Sequence, residues 1–392
     1  MSEPAKKPGQ QPEGYQPKKP EIVGMVEAAQ GKTPSEEPAA RQPIKAGAPI
    51  RPTDYDFHFS GFRGLDFTNC FTALFLYLEG IQGVDEPCLT LANHAERHFH
   101  LFDTMSGRSA TVRGWGDVPT AVYSEIYDTE DMVAFLMGYV GYVYEKHTER
   151  LMERIRASLD SGIPVLARMK DDKKGSFRVI HDYQGDKLLT PEPKGAQNKP
   201  RRAPKLGEID SVYVVTGRAQ RKYTLLDGLR RFRGIMERDR EAGAWDAYIA
   251  AFEGAWKTWE SDNMRDFSMG AFKRLLQTAY KGTTWNCHNT TETFRIYHEY
   301  EENPARFRNP VWDELRDPRI EPAARRLDGA CHNSWSYQWQ LRVLPGVRRP
   351  AGMQKYSLCD MAVMLLRQIK DCDGIVYSAV CEMIAILEEG AA

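Results

Sequence analysis

The chain has 392 residues, with 53 Lys or Arg against 54 Asp or Glu, so its formal net charge is −1. That balance argues against binding to nucleic acid or to an anionic membrane surface, which needs a basic excess. No apolar run approaches the length of about 18 residues that a membrane helix needs, no export signal is visible, and the seven cysteines form no CxxC pair. We therefore expect a cytoplasmic protein with reduced thiols, no nucleic-acid partner and no membrane partner; the oligomeric state is left open.

Residues 1–52 have a different composition from the rest of the chain. They hold 10 of the 23 prolines and a single aromatic residue, Tyr15. A segment of this kind buries too little apolar surface to offset the entropy of ordering it. We predict that residues 1–52 form a disordered, Pro-rich tail.

The first predicted folded element is a buried helix that begins near Cys70. Thr68 or Asn69 suits its N-cap and Gly80 its end. Its apolar residues recur with helical spacing at Phe71, Leu74, Phe75 and Leu78. A cysteine in the first turn feels the positive end of the helix dipole, which favours the nucleophilic thiolate. Because cysteine is also among the most buried residue types, an inert core thiol is the alternative.

The rest of the chain divides into a mixed part and a helical part. Residues 89–101 and 128–161 have helical patterns, and strands are predicted at 162–168, 177–181, 187–190 and 211–216. After Gly217 the patterns are helical, at 223–240, 245–261, 266–280, 290–300, 329–343 and 357–389. We predict an α+β domain over residues 53–217, followed by an all-helical domain over residues 218–392.

Three segments carry a resemblance to a known family: 69–80 (NCFTALFLYLEG), 162–168 (GIPVLAR) and 177–186 (FRVIHDYQGD). They resemble the papain-like fold of the bacteriocin-processing cysteine peptidases, most closely the variant in butirosin biosynthesis protein H. That family moves an acyl group from a carrier protein to an aminoglycoside and pairs this fold with a helical domain. The resemblance implies a papain-like domain, with Cys70 as nucleophile and with a His base and an orienting acid on later strands.

The chain departs from the family pattern where the base should lie. The family's strand begins with the catalytic His, and that position here is Ser176, whose hydroxyl cannot act as a base near neutral pH. The later position of the orienting acid falls on Glu192. His181 remains as a candidate base, oriented by Asp186 or Glu192. Strict strand alternation, however, puts His181 on the face opposite Ser176 unless a bulge intervenes.

Two functions follow from these residues. The first is a cysteine-dependent acyltransferase or amide hydrolase in specialised-metabolite or peptide processing, with the backbone N–H of Cys70 contributing to an oxyanion hole. The second is a catalytically inactive papain-like protein that binds a carrier protein or a peptide in the cleft between its domains. The expected partner is an acyl-carrier protein or a peptide substrate in both cases, and no cofactor is predicted.

Metal ligation is a weaker alternative at two places. His94 and His98 are spaced to share one face of a helix, but no third ligand is identifiable from spacing. The pairs Cys287-His288 and Cys331-His332 would need loops, because adjacent helical residues point about 100° apart. We interpret both pairs as helix-start segments and predict no metal site.

Overall fold

The computed structural model describes residues 67–79, 98, 100–107, 129–170, 177–190, 204–262, 290, 293–294, 314–344 and 356–390. The predicted tail at 1–52, Ser176 and Glu192 lie outside the described residues. All described residues belong to one compact unit, Ile44–Ala392. The protein is a mixed α+β structure, which confirms the predicted class at that level.

Seven helices of ten or more residues are present in the described part of the chain. They are α1 (Phe67–Leu78), α2 (Thr129–Val140), α3 (Leu151–Asp160), α4 (Leu225–Glu241), α5 (Ala244–Asp262), α6 (Glu321–Val343) and α7 (Tyr356–Glu389). Residues 100–105 are also helical, and short 3-10 turns occur at Leu206–Glu208 and Glu314–Arg316. Among these described helices, none combines the length and the apolar character needed to cross a bilayer.

The strands are β1 (Tyr142–His147), β2 (Val165–Met169), β3 (Phe177–Ile180), β4 (Asp182–Gln184), β5 (Lys187–Leu189) and β6 (Ile209–Arg218). Four of them form one sheet in the order β1-β6-β2-β3, and every neighbouring pair is antiparallel. Strands β4 and β5 form a separate hairpin. The four strands predicted from alternation are confirmed, with slightly different bounds.

Strand β1 replaces part of the helix predicted over residues 128–161, and that prediction is wrong there. Helix α2 ends at Val140 and is followed by Gly141, whose φ of 78° leaves the right-handed helical region. A left-handed residue at this point breaks the helix, and glycine adopts it at little cost. Tyr142 then opens the edge strand of the sheet, and a new helix, α3, begins at Leu151.

Helix α6 begins earlier than the sequence pattern indicated. We predicted a helix start at Gly329, whereas the helix begins at Glu321 with Pro322 in its first turn. Proline suits that position because its missing N–H would have no intrahelical acceptor there. Cys331 and His332 therefore lie in the interior of α6, and the interpretation of this pair as a helix-start segment is wrong.

The largest buried cluster draws side chains from both sides of the boundary predicted near Gly217. Phe71 of α1 and Tyr213 of β6 belong to the same cluster as Phe232 of α4, Ala323 of α6 and Val380 of α7. A second cluster fills the space between α3 and the opposite face of the sheet. The division into domains at residues 53–217 and 218–392 stays a prediction.

Helix α1 crosses one face of the sheet from end to end. Its first residue packs on the start of β3, since the rings of Phe67 and Phe177 lie 5.0 Å apart. At its other end Tyr77 donates a hydrogen bond to the carbonyl of Gly162, just before β2, and Arg218 at the end of β6 forms an ion pair with Glu79. We call the two ends of the sheet the Phe177 end (ends of β1 and β2, starts of β3 and β6) and the Tyr142 end.

Candidate functional site

Cys70 is the fourth residue of α1 and so lies close to its start; the helix begins at Phe67, and the prediction of Thr68 or Asn69 as its N-cap is wrong. It carries a thiol rather than a disulfide and is 7% exposed. The buried cluster around it includes Phe67, Phe177 and Val179. Three residues separate Cys70 from Phe67, so Cys70 lies near the Phe177 end of the sheet, where the positive end of the α1 dipole also lies.

His181 follows β3 directly and lies at the Tyr142 end. Its backbone N–H donates to the carbonyl of Leu189, which places it at the base of the β4–β5 hairpin. The imidazole is 6% exposed, and neither ring nitrogen has a hydrogen-bond partner among the described residues. Burial lowers the pKa of His181, and the nearby carboxylate of Asp182 partly opposes that effect. The ring is therefore neutral at pH 7.

The two predicted members of the catalytic pair lie toward opposite ends of the sheet. Tyr77, which marks the Tyr142 end, comes seven residues after Cys70, a rise of about 10 Å along the helix axis. His181 is at that same end, because β3 runs from Phe177 toward it. Neither ring nitrogen of His181 forms a hydrogen bond with the Cys70 thiol.

Asp186 is not placed to orient His181. It occupies the turn of the β4–β5 hairpin, its side chain is 97% exposed, and it pairs with Arg156 of α3 at 3.0 Å. His181 is at the opposite end of the same hairpin. The second candidate acid, Glu192, and the family's base position, Ser176, lie outside the described residues.

The structure reveals a polar cluster at the Phe177 end that the sequence did not indicate. Lys146 lies directly opposite Tyr213 in the β1–β6 ladder, and Arg168 lies opposite Ser211 in the β2–β6 ladder. Strand alternation turns these side chains to the face that α1 covers. The carboxylate of Glu130, in the first turn of α2, accepts a hydrogen bond from Lys146 and lies 3.7 Å from Arg168.

Tyr213 connects this cluster to the start of α1. Its ring centroid lies 6.0 Å from that of Phe177, which itself contacts Phe67. The residue is 1% exposed, and its hydroxyl has no well-aligned hydrogen-bond partner among the described residues. Burial raises the pKa of Tyr213, while the neighbouring Ser211 and Lys146 lower it by less. The hydroxyl thus stays protonated and available as a donor.

One sequence signal could have found this cluster. Residues 211–216 alternate as a strand, which puts Ser211 and Tyr213 on one face. The same alternation in residues 142–147 puts Tyr144 and Lys146 on one face of a strand, but we predicted a helix for these residues. Because β1 was not predicted, Lys146 could not be recognised as the residue opposite Tyr213.

The possible metal ligands are dispersed in the described part of the chain. His98 is buried and packs its ring 5.1 Å from that of Phe75. On α6 Cys331 is buried, whereas its neighbour His332 is exposed. No group of three His, Cys, Asp or Glu side chains within the described ranges could hold a metal ion. His94, Cys287 and His288 lie outside those ranges.

Comparison with known proteins adds no assignment. No protein-family model matches the chain, and neither a curated protein nor a solved structure is significantly similar to it. The arguments about function that follow therefore depend on the placement of Cys70, His181, Lys146, Arg168 and Tyr213.

Proposed function

We propose that this chain is a papain-like α+β protein that binds a carrier-borne acyl group or a peptide beside Cys70 without cleaving it. The observation that carries the proposal is that the ring nitrogens of the buried His181 form no hydrogen bond with Cys70 or with any other described residue. A nucleophilic cysteine and its base must come within hydrogen-bond reach, about 3 Å, even if the resting geometry is looser. The ligand would lie at the Phe177 end, where α1 begins and the polar cluster is exposed.

The surroundings of Cys70 support binding rather than catalysis. Cys70 is buried in a cluster that is made of aromatic and aliphatic side chains. Desolvation in such surroundings disfavours the thiolate. Cys70 would then act as part of the apolar wall beside the ligand.

A cysteine-dependent acyltransferase or amide hydrolase is the second candidate function. It is favoured by one observation, the position of Cys70 near the start of α1, where the helix dipole stabilises negative charge. This candidate requires a proton acceptor other than His181, supplied from outside the described residues.

Thiol labelling at different pH values distinguishes the two candidates. Cys70 and Cys372 are similarly buried, at 7% and 6% exposure, but Cys372 lies in the interior of α7, far from a helix start. Iodoacetamide labelling of the native protein, followed residue by residue by mass spectrometry, gives the pH midpoint of each thiol independently of its access. We expect both midpoints at or above the usual value of about 8.5. A Cys70 midpoint more than one unit below that of Cys372 would instead establish an activated nucleophile.

A small thioester tests binding directly. Hexanoyl-N-acetylcysteamine reproduces the thioester end of a carrier protein's arm and carries no charge. Calorimetry should detect its binding to the wild-type protein and, within about twofold, to Cys70→Ser, because serine is close to cysteine in size and shape. No thiol should be released above the rate in buffer. Release that disappears in Cys70→Ser would contradict the proposal and support the enzyme.

A further inference from the structure

The polar cluster at the Phe177 end has the composition of an anion-binding site. We propose that Lys146, Arg168 and the hydroxyl of Tyr213 bind a carboxylate or phosphate group of the ligand, and that Glu130 is an internal carboxylate which this group displaces. The inference rests on the proposed function, since it assigns the charged part of the ligand that lies beside Cys70.

The three donors lie side by side on one face of the sheet. Strand β6 is central, and its neighbours β1 and β2 bring Lys146 and Arg168 to its two sides. Lys146 is directly opposite Tyr213, with Cβ atoms about 5 Å apart in such pairs, whereas Arg168 is opposite Ser211 and so a diagonal neighbour of Tyr213, at about 7–8 Å, which a long side chain spans. One oxyanion can therefore contact a donor from each of the three strands.

Arg168 has hydrogen-bonding capacity that the described structure does not use. Its guanidinium lies 3.7 Å from Glu130 and 3.9 Å from Asp210, both beyond hydrogen-bonding distance, and it makes no hydrogen bond to any described residue. The side chain is 33% exposed, so a ligand can reach it. A guanidinium presents paired N–H groups that match the two oxygens of a carboxylate or phosphate.

Tyr213 supplies the buried part of the site. The buried Tyr213 hydroxyl has the Ser211 side chain within reach but in poor alignment, and an oxyanion beside it would supply a well-formed hydrogen bond. The hydroxyl faces Lys146, Glu130 and Arg168 closely enough to feel their charges. Because burial raises the pKa of Tyr213, it donates a proton to the bond rather than accepting one.

Glu130 shows that the cluster accommodates a carboxylate. The hydrogen bond from Lys146 lowers the pKa of Glu130, and the same contact raises the pKa of Lys146. The Glu130 side chain is 53% exposed, so it can swing into solvent at small cost when another anion arrives. Its place in the first turn of α2 also favours negative charge, through the helix dipole.

The two sources of such an anion are the phosphodiester of a carrier protein's arm and a carboxylate of a peptide. Both present an oxyanion to the same three donors. Titration calorimetry of the full chain with inorganic phosphate and, separately, with acetate, at constant ionic strength, distinguishes them. Tighter phosphate binding indicates the phosphodiester, and acetate binding at least as tight indicates the carboxylate.

The variants are chosen to separate the effect of a charge on anion binding from any effect on folding. Glu130→Gln removes the competing carboxylate and should tighten anion binding about tenfold, while Lys146→Gln or Arg168→Gln should weaken it about tenfold. Lys187→Gln, an exposed lysine in the β4–β5 hairpin, is the matched control and should change nothing. If neither anion binds to Glu130→Gln, the inference is wrong.

Tyr213→Phe separates a binding role from a structural one. Loss of an unsatisfied buried hydroxyl should leave the unfolding midpoint unchanged or raise it, yet weaken anion binding severalfold. Unchanged anion binding in this variant would overturn the assignment of Tyr213. Hexanoyl-N-acetylcysteamine is uncharged and does not need the anion site. If the protein binds this thioester but binds neither phosphate nor acetate, the inference is wrong and the proposed function stands.

Discussion

Phe67 and Phe177 lie with their ring centroids 5.0 Å apart, which fixes the first turn of α1 against the first residue of β3. Through this contact the start of the helix and the Phe177 end of the sheet form one surface. Cys70 follows Phe67 by three residues in α1, and the ring centroid of Tyr213 lies 6.0 Å from that of Phe177.

Replacement of Phe177 should be among the most destabilising changes in the sheet. Phe177→Ala removes a fully buried ring that contacts Phe67 and Tyr213, and should lower the free energy of unfolding by about 3–5 kcal/mol. Urea denaturation measures the change. Val143→Ala, at a β1 position that is 44% exposed, should cost under about 1 kcal/mol. Equal losses in the two variants would show that the ring contact does not anchor α1.

The ion pair between Arg221 and Glu314 should contribute more than an ordinary surface pair. Glu314 accepts two hydrogen bonds from the Arg221 guanidinium, at 2.7 and 3.3 Å, and one from the N–H of Leu225 at the start of α4. Glu314→Ala leaves the guanidinium, 16% exposed, without this carboxylate, and should cost about 2–3 kcal/mol in thermal or urea unfolding.

An exposed ion pair provides the control for that prediction. Arg150 and Glu153 are 67% and 56% exposed, and Glu153→Ala should cost about 0.5 kcal/mol or less. A loss in Glu314→Ala no larger than in Glu153→Ala would contradict the assigned role of Glu314.

Asp373 of α7 should make the stability of the helices depend on pH. Desolvation of the partly exposed Asp373 raises its pKa to about 7, Trp245 and Arg240 oppose the rise, and Asp239 adds to it. In the unfolded chain the pKa is about 3.9. Between these values the folded protein keeps a proton that the unfolded chain loses, so this residue favours folding at low pH and its contribution disappears as the pH rises through 7.

The variant Asp373→Asn should remove this dependence. Its free energy of unfolding should exceed that of the wild type by about 1–3 kcal/mol at pH 8 and approach it near pH 4. Urea titrations at several pH values measure the difference. Asp371→Asn changes an exposed residue of the same helix and should give a difference that is independent of pH. A constant difference for Asp373→Asn would refute the prediction.

The turn between α2 and β1 should require glycine. Gly141 has a φ of 78°, and a Cβ there would lie 2.7 Å from the carbonyl oxygen of Ala219. Gly141→Ala should therefore cost about 1–3 kcal/mol. Gly234, inside α4, has open space around its Cα, and Gly234→Ala should stabilise the protein by up to about 1 kcal/mol. Circular dichroism during thermal unfolding gives both values; the prediction fails if both variants shift in the same direction.

Local patterns were sufficient to predict most elements. The alternation of residues 211–216 and the helical spacing at 223–240 depend on neighbours in sequence, and both elements are present. Strand β1 was missed because its identity depends on pairing with β6, about 70 residues later. Gly141 was a usable signal, since glycine often marks the end of a helix.

The candidate site was harder to predict for the same reason. The position of Cys70 near the start of α1 follows from the apolar spacing of the helix, although the predicted caps Thr68 and Asn69 lie inside it. The placement of His181 depends on the direction in which β3 runs beneath α1, and that of Lys146 and Arg168 depends on the strand order. Neither is encoded in a short stretch of sequence.

The strand order also determines when the sheet can form. β6 is the last of the described strands in sequence and lies between β1 and β2, so no described ladder joins these two until residues 209–218 have been made. Until β6 has been synthesised, β1 has no described strand to pair with, and β2 can pair only with β3. Unpaired strand edges of this kind promote association between chains. The central place of β6 thus makes the nascent chain, rather than the finished protein, the form most exposed to aggregation.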